Sequence, residues 1–231
     1  KLLAEVAFKI YRKIPKNLIA VTGTNGKSSI ADFYYQILNL NQKKVASIGT
    51  LGVRANGFNF NLNNTTIDPI KLGKILKKLK SKRIDNVIME ASSHGLKQNR
   101  LDGLRYKTGI FTNLSQDHLD YHKNLKNYLK AKLYLFENLI EKKGNVITDK
   151  NIIGFNKIKK ITSRKNLNLQ AIDDYKNNFK LLSHKYDDEV QILKIKYNSL
   201  IKEINLNLIG KVQIKNILMA MIAAKKSNID Y

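Results

Sequence analysis

Val21-Thr22-Gly23-Thr24-Asn25-Gly26-Lys27-Ser28-Ser29 lies between an apolar run, Leu18 to Val21, and a segment, Ile30 to Leu40, whose apolar residues recur at helical spacing. The stretch reads as strand, glycine-rich turn, helix. Such a turn aims backbone N–H groups and the positive end of a helix at one point, and that point suits a phosphate. Lys27 adds a positive charge where the β- and γ-phosphates of a nucleotide would lie, and Ser28 a hydroxyl for Mg²⁺. The generic P-loop pattern wants glycine at position 21, where the chain has valine, so the match is to the variant Thr-Gly-Thr-Asn-Gly-Lys-Ser. The alternative is a Gly/Asn-rich surface turn that precedes a helix by chance. Lys27 and Ser28 directly after the second glycine weigh against it.

Outward from this loop, strand-like and helix-like segments alternate through the first two-thirds of the chain. The pattern predicts strands at Leu18–Thr22, Val45–Gly49, Val87–Glu90, Gly109–Thr112 and Asn145–Thr148, and helices at Ser28–Leu40, Pro69–Leu79, Leu125–Ile140 and Val212–Lys226. Asp68-Pro69 is a sound N-cap and first-turn pair for the second helix. Between Ile152 and Asn207 the segments shorten, with Leu167–Ile172 and Val190–Ile195 reading as an antiparallel patch. The expected fold class is α/β: a P-loop-containing, mostly parallel sheet flanked by helices, with a small antiparallel subsheet.

The chain has 231 residues, enough for one large α/β domain. It does not begin with Met and ends after an apparent helix, so it reads as a piece of a longer protein. No apolar run approaches the roughly 18 residues of a membrane span, and no signal peptide is visible. The absence of Cys excludes disulfides, zinc–thiolate sites and a Cys nucleophile. A cytoplasmic location and a monomer are the expectations. The net charge of +24 invites a nucleic-acid partner. However, only six of the 42 basic residues are Arg, and the lysines are scattered among Asn and Ile rather than clustered. No nucleic acid and no membrane are expected as partners; an acidic or phosphorylated substrate would still be steered by such a surface.

Three further constellations carry chemistry. Val87-Ile88-Met89-Glu90 is an apolar strand ending in a carboxylate, the type of strand that delivers an acid to Mg²⁺ or its water shell. It runs directly into Ala91-Ser92-Ser93-His94-Gly95-Leu96-Lys97-Gln98-Asn99-Arg100, which crowds hydroxyls, an amide and an arginine at the sheet edge where open α/β folds bind ligands. A hydrolase nucleophile in Ser-Ser-His is disfavoured, because no Gly-x-Ser-x-Gly elbow is present. Thr112-Asn113-Leu114-Ser115-Gln116-Asp117-His118-Leu119-Asp120-Tyr121-His122 places two His and two Asp within six residues after another strand. A metal site or a solvated polar loop would each account for it, and the shared edge with Lys27 and Glu90 favours the metal. Lys132 lies on or beside the apolar stripe Leu125, Leu129, Leu133, Phe136, Leu139 and Ile140. A buried unpaired ammonium is costly, so Lys132 either snorkels to water or has an assigned partner or modification.

These segments, in this order, resemble the Mur ligases, ATP-dependent amide-forming ligases of peptidoglycan precursor synthesis, and among them the branch that adds the third residue of the stem peptide. The resemblance runs from about Leu18 to Lys132, thins through the antiparallel patch and returns at Leu208–Ala220. It implies that Gly23, Thr24, Asn25, Gly26, Lys27, Ser28 and Ser29 hold ATP, with Asn113 and Asn216 as further nucleotide contacts. It implies that Ser28, Glu90 and His118 serve Mg²⁺, joined by Lys132 as a carbamate, and that Lys27, Glu90, His118 and Lys132 carry catalysis. Asn64, Thr65, Thr66, Ser92, Gln98 and Arg100 would bind UDP-MurNAc-L-Ala-D-Glu, to which a diamino acid is added through an acyl phosphate.

The chain departs from the family at Ser28-Ser29, where Thr-Thr is commoner, at Ala20, where glycine is frequent, and at Val212, where an aromatic is frequent. Residues 1–231 would then be the central ATP-binding domain, with the family's N-terminal uridine-binding and C-terminal domains absent. The fragment alone is expected to bind nucleotide weakly and to lack full ligation. The rivals are another ligase of the superfamily, such as a folylpolyglutamate synthase, and a basic nucleic-acid-binding P-loop NTPase. Ser92-Ser-His-Gly-Leu with Gln98 and Arg100 favours the stem-peptide branch.

Overall fold

The fold is a computed structural model describing residues 1–172, 179–187, 190–197, 199–208 and 210–229. In chain order it contains α1 (Leu2–Ile10), β1 (Asn17–Thr22), α2 (Lys27–Leu40), β2 (Val45–Gly49), β3 (Gly52–Ala55), β4 (Phe58–Phe60), α3 (Pro69–Ser81), β5 (Asn86–Glu90), α4 (Ser93–Lys97) and β6 (Tyr106–Phe111). There follow α5 (Leu119–His122), α6 (Leu125–Tyr134), β7 (Ile140–Asp149), α7 (Phe155–Lys165), β8 (Asn168–Ile172), β9 (Phe179–Asp187), β10 (Val190–Tyr197), β11 (Leu200–Leu206) and α8 (Lys211–Lys225).

The alternation of side chains along β1 decides the architecture. Leu18 and Ala20 enter one core, while Ile19 and Val21 enter a second core on the opposite face. A strand apolar on both faces belongs inside a parallel sheet covered by helices on each side. The observed sheet order is β4-β3-β2-β5-β1-β6-β7-β8, with β1 parallel to both β5 and β6. The first core packs residues of α1, α3 and α6, and the second packs α2 and α8. Because β2, β5, β1 and β6 run the same way, Gly49, Glu90, Thr22 and Phe111 all end on one edge. That edge is where an open α/β sheet binds ligands.

Local signals explain the helix starts. Asp68 caps α3 by accepting from the Lys71 N–H at 2.9 Å, with Pro69 in the first turn. Asn124 caps α6 in the same way through the Asn127 N–H. Helix α2 differs: it begins after Gly26 with no side-chain cap. Its first-turn N–H groups are left for another acceptor.

Two sequence expectations need correction. The helix expected over Leu125–Ile140 stops at Tyr134, passes through one π turn at Leu135–Leu139 and enters β7 at Ile140. The wider turn buries Leu135, Phe136 and Leu139 together, and Phe136 packs against Gly109, where a Cβ would come within 2.9 Å of its ring. Leu167–Ile172 is not part of an antiparallel patch. As β8 it pairs parallel with β7, because α7 supplies the crossover that parallel pairing requires. The antiparallel unit is β11-β10-β9, with Val190–Ile195 inside β10. Leu193 and Ile195 anchor it on the α8 side of the core. The β3–β4 hairpin, which extends the main sheet antiparallel at one edge, had not been read from the sequence.

Candidate functional site

The loop after β1 is shaped by glycine and held from β6. Gly26 sits at φ +85°, a conformation that L side chains rarely adopt, and a Cβ there would lie 2.6 Å from Asn216 Oδ1. The Thr24 N–H donates to Asn113 O and the Asn25 N–H to Asn113 Oδ1, both at 3.0 Å. Asn113 Nδ2 and Thr112 Oγ1 donate back to Asn25 O at 3.2 and 2.6 Å. Asn113 therefore grips the loop backbone. Asn216 is buried beside Gly26, and its Nδ2 donates to Gln213 Oε1 at 3.0 Å.

Glu90 ends β5 with its side chain 3 % exposed. A buried carboxylate is tolerable only with donors around it. Ser28 Oγ and the Thr50 N–H both donate to its Oε1 at 2.9 Å, and Thr50 Oγ1 to its Oε2 at 3.1 Å. Gly49 makes this possible, since any Cβ there would collide with Glu90 Oε1. The loop and the carboxylate are thus joined through the Ser28 hydroxyl.

Two lysines close the other side. Lys27 Nζ donates to Gly23 O at 3.1 Å and Thr24 O at 2.7 Å. Burial pushes its pKa down, partly offset by Glu90 and Asp117. Lys132 is 1 % exposed, so it does not snorkel. Its Nζ donates to Gly23 O at 2.6 Å and lies 4.2 Å from the centre of the Tyr128 ring. Burial first, and then the charge of Lys27, lower its pKa to about 7.

The loop residues Thr24 to Ser29, with Thr50, Thr65, Glu90, Ser92, Ser93, His118, Tyr128 and Lys132, enclose a cavity of about 350 Å³. His118 adopts a left-handed backbone (φ +51°), with Asp117 accepting from its N–H at 2.9 Å and lying 3.3 Å from its ring Nε2. Its ring packs edge-on to His94. His122 is buried elsewhere, with Nε2 at 3.0 Å from Ser93 Oγ.

The residues expected to bind the acceptor divide between two cavities. Thr65 and Ser92 line the first. Asn64, Gln98 and Arg100 line a neighbouring one of about 430 Å³, together with Lys1, Asp68 and Lys71. Thr66 joins the two: its Oγ1 donates to Glu90 O and accepts from the Ser92 N–H, and its carbonyl accepts from Arg100 at 2.6 Å. Arg100 is further aligned by Gln98 Oε1 at 2.8 Å.

Sequence reasoning missed Thr50, Ser93 and Tyr128. Thr50 carried a signal, a hydroxyl directly after a strand ending in glycine on the ligand edge. Tyr128, whose hydroxyl reaches Thr24 Oγ1 at 3.4 Å, looked like ordinary helix core.

The arrangement fits a polyphosphate: an uncapped helix start, a glycine loop and two lysines converge on one cavity. It also fits Mg²⁺, a hard cation that keeps several waters and takes few protein oxygens. Ser28 Oγ and Glu90 supply such oxygens, and among the described residues no cluster of three or more His, Asp or Glu forms a dedicated metal cage.

Comparison with known proteins agrees with this reading of the fold. The Mur ligase middle domain matches residues 21–224. The UDP-N-acetylmuramoyl-L-alanyl-D-glutamate–2,6-diaminopimelate ligase of Rickettsia montanensis is 37% identical over 217 residues, covering 92% of this chain and 45% of that protein. The ligase of the same name from Zymomonas mobilis is 36% identical, covering 94% and 45%. The chain spans a little under half the length of these relatives. Among solved structures, a ligase of that name superposes with a TM-score of 0.83 at 24% identity over 98% of this chain and 46% of that one. A MurF ligase from Thermotoga maritima in complex with ADP superposes with a TM-score of 0.74 at 14% identity, covering 99% and 49%. The chain belongs to the Mur ligase middle-domain family.

Proposed function

We propose that this chain is the central, nucleotide-binding domain of an ATP-dependent ligase of peptidoglycan precursor synthesis. The ligase adds a diamino acid to UDP-MurNAc-L-Ala-D-Glu. The observation that carries the reading is the convergence of Lys27, Ser28, Glu90 and Lys132 on one cavity at the ends of β1 and β5. The relatives' names supply the acceptor and favour 2,6-diaminopimelate as the incoming amine.

In this reading the side-chain carboxylate of D-glutamate takes the γ-phosphoryl group of ATP and ADP leaves. The diamino acid's amine then attacks the acyl carbon, losing a proton and expelling phosphate. Lys27 and the N–H groups of the loop neutralise the transferring phosphoryl group, and the site acts by positioning and charge. Ser28 and Glu90 would hold Mg²⁺, with His118 beside them; the ion would neutralise phosphate charge when bound. Asn216 would contact the nucleotide beside Gly26. Thr65, Thr66 and Ser92 would hold the reacting end of the acceptor, and Asn64, Gln98 and Arg100 its remoter part.

Lys132 is the modification candidate. An amine lowered to about 7 is substantially neutral near pH 7 and can add CO₂. The resulting carbamate exchanges a second cation beside Lys27 for an anion. Domains before and after this one would bind the uridine end and select the amino acid, and the need for ATP puts the reaction in the cytoplasm. Among the described residues no helix is long and apolar enough to cross a membrane.

The test is phosphate release by the full-length protein with Mg-ATP, with and without UDP-MurNAc-L-Ala-D-Glu, across a panel of amino acids. Release that requires both the muramoyl dipeptide and one diamino acid supports the proposal. Release indifferent to the muramoyl nucleotide removes it and turns attention to folate-type acceptors.

A further inference from the structure

Ser93 and His122 form a pair to which the proposed reaction assigns no role. Ser93 opens α4 and lines the cavity that holds Lys27, Ser28 and Glu90, whereas His122 ends α5 behind it. Their side chains meet at 3.0 Å, Ser93 Oγ to His122 Nε2, and both residues are buried. The other ring nitrogen, His122 Nδ1, is buried with no hydrogen-bond partner among the described residues. The rings of His94, Tyr121 and Tyr128 surround the imidazole, with centroids 5.5, 4.9 and 5.1 Å from its own.

That orphaned nitrogen decides the tautomer. Were Nδ1 protonated, a buried N–H would lack an acceptor, which folded proteins tolerate less readily than an unused lone pair. A neutral imidazole with its proton on Nε2 leaves only a lone pair unpartnered. Its Nε2–H then donates to Ser93 Oγ, and the serine's own proton is free for another acceptor. Among the described residues Ser93 Oγ has no second hydrogen-bond partner, and Ser93 lines the cavity.

We infer that Ser93 is an oxyanion-binding residue of the reaction site and that His122 positions it, by donating Nε2–H to Ser93 Oγ and so committing the serine proton to a phosphoryl or carboxylate oxygen in the cavity. This rests on the ligase reading only for which oxyanion is bound. A hydroxyl held in this way needs no reorganisation when charge develops on its acceptor, the condition under which a single donor contributes most.

Two experiments on the full-length protein test it. Long-range ¹⁵N–¹H spectra of the histidine rings, with His122→Gln assigning the signal, read the tautomer directly. A proton on Nε2 with a bare Nδ1 is expected; the opposite tautomer overturns the inference.

Phosphate release by Ser93→Ala, His122→Phe, His122→Gln and the double variant Ser93→Ala/His122→Phe gives the second readout. Ser93→Ala should lower kcat about ten- to a hundredfold. His122→Phe should cost several-fold alone but almost nothing further when Ser93 is already alanine. His122→Gln, whose amide can still donate, should recover most of the loss. Additive effects, or an unchanged Ser93→Ala, overturn the inference. A raised KM for ATP assigns the oxyanion to the nucleotide, a raised KM for the acceptor to its carboxylate, and a fall in kcat alone to the group in transfer. If the wild-type protein fails to release phosphate with the muramoyl acceptor, the ligase reading falls. The ring spectra and the affinity of Ser93→Ala for Mg-ATP then decide, and an unchanged affinity overturns the oxyanion contact.

Discussion

Lys27 and Lys132, from different helices, donate to the same carbonyl oxygen, that of Gly23, at 3.1 and 2.6 Å. Burial lowers the pKa of each amine, and the charge of Lys27 lowers that of Lys132 further. The loop is thereby held by one cation, Lys27, whose counter-charge would be a polyphosphate, and by a second amine that is substantially neutral near pH 7.

Replacing Lys27 by Ala should therefore remove most turnover while changing the fold little. The variant loses two hydrogen bonds to loop carbonyls but also one partner of a like-charge pair. We expect phosphate release by the full-length protein to fall at least about a hundredfold, with a thermal midpoint within a few degrees of wild type. Normal turnover would remove Lys27 from the phosphoryl-transfer site.

The carbamate assignment predicts chemical rescue. Lys132→Ala should be inactive and should regain activity with added short carboxylates such as acetate or propionate, which can occupy the vacated space. Wild-type activity should also fall when CO₂ and bicarbonate are stripped from the buffer and return when they are restored. Lys132→Ala activity that no carboxylate restores, with indifference to CO₂, would leave Lys132 an unmodified amine.

Gly49 offers a test that touches no proposed contact with substrate. A Cβ at this position collides with Glu90 Oε1, the oxygen that accepts from Ser28 and Thr50. Gly49→Ala must displace either β2 or the carboxylate. A loss of about 1–3 kcal/mol in urea unfolding is expected, together with at least about a tenfold loss of phosphate release. Gly57→Ala, on the β3–β4 turn with nothing near its Cβ direction but at φ +89°, controls for the strain of losing a left-handed glycine without a clash at the carboxylate. Equal effects of the two variants would argue against a built carboxylate site.

How much of this was legible from residues alone follows a physical line. The loop could be read because strand, glycines, lysine and helix are contiguous and each has a local cause. The central strands could be read because an apolar run is its own signal. The β3–β4 hairpin and α7 escaped. The hairpin strands are short, and α7 is mostly polar, with a narrow buried stripe of Ile158, Ile161 and Thr162 in eleven residues that does not stand out as an apolar run. Without α7 there was no crossover to make Leu167–Ile172 a parallel strand. Within the site, Lys132 drew notice because a charge on an apolar stripe breaks a rule. Ser93–His122 did not, because the two residues lie 29 positions apart and only the packing of α5 against α4 brings them together.

His122 makes the last prediction, a pH dependence of stability. Burial, followed by the charges of His94, Lys97, Lys132 and His118, pushes its pKa down to about 4, against 6.5 ordinarily. Above pH 6.5 the ring is neutral in both folded and unfolded chains and contributes no slope. Between about 6.5 and 4 the unfolded chain takes up a proton that the folded one refuses, so stability falls as pH falls through that window. The full loss is at most about 3–4 kcal/mol. Urea unfolding at pH 7 and pH 5 should show wild type losing stability and His122→Gln losing distinctly less. The variant comparison is needed because His94, in contact with His118, is lowered in the same direction and contributes its own share. Parallel curves for the two proteins would mean that His122 can be charged in place, and a charged ring would have to place a proton on the enclosed Nδ1.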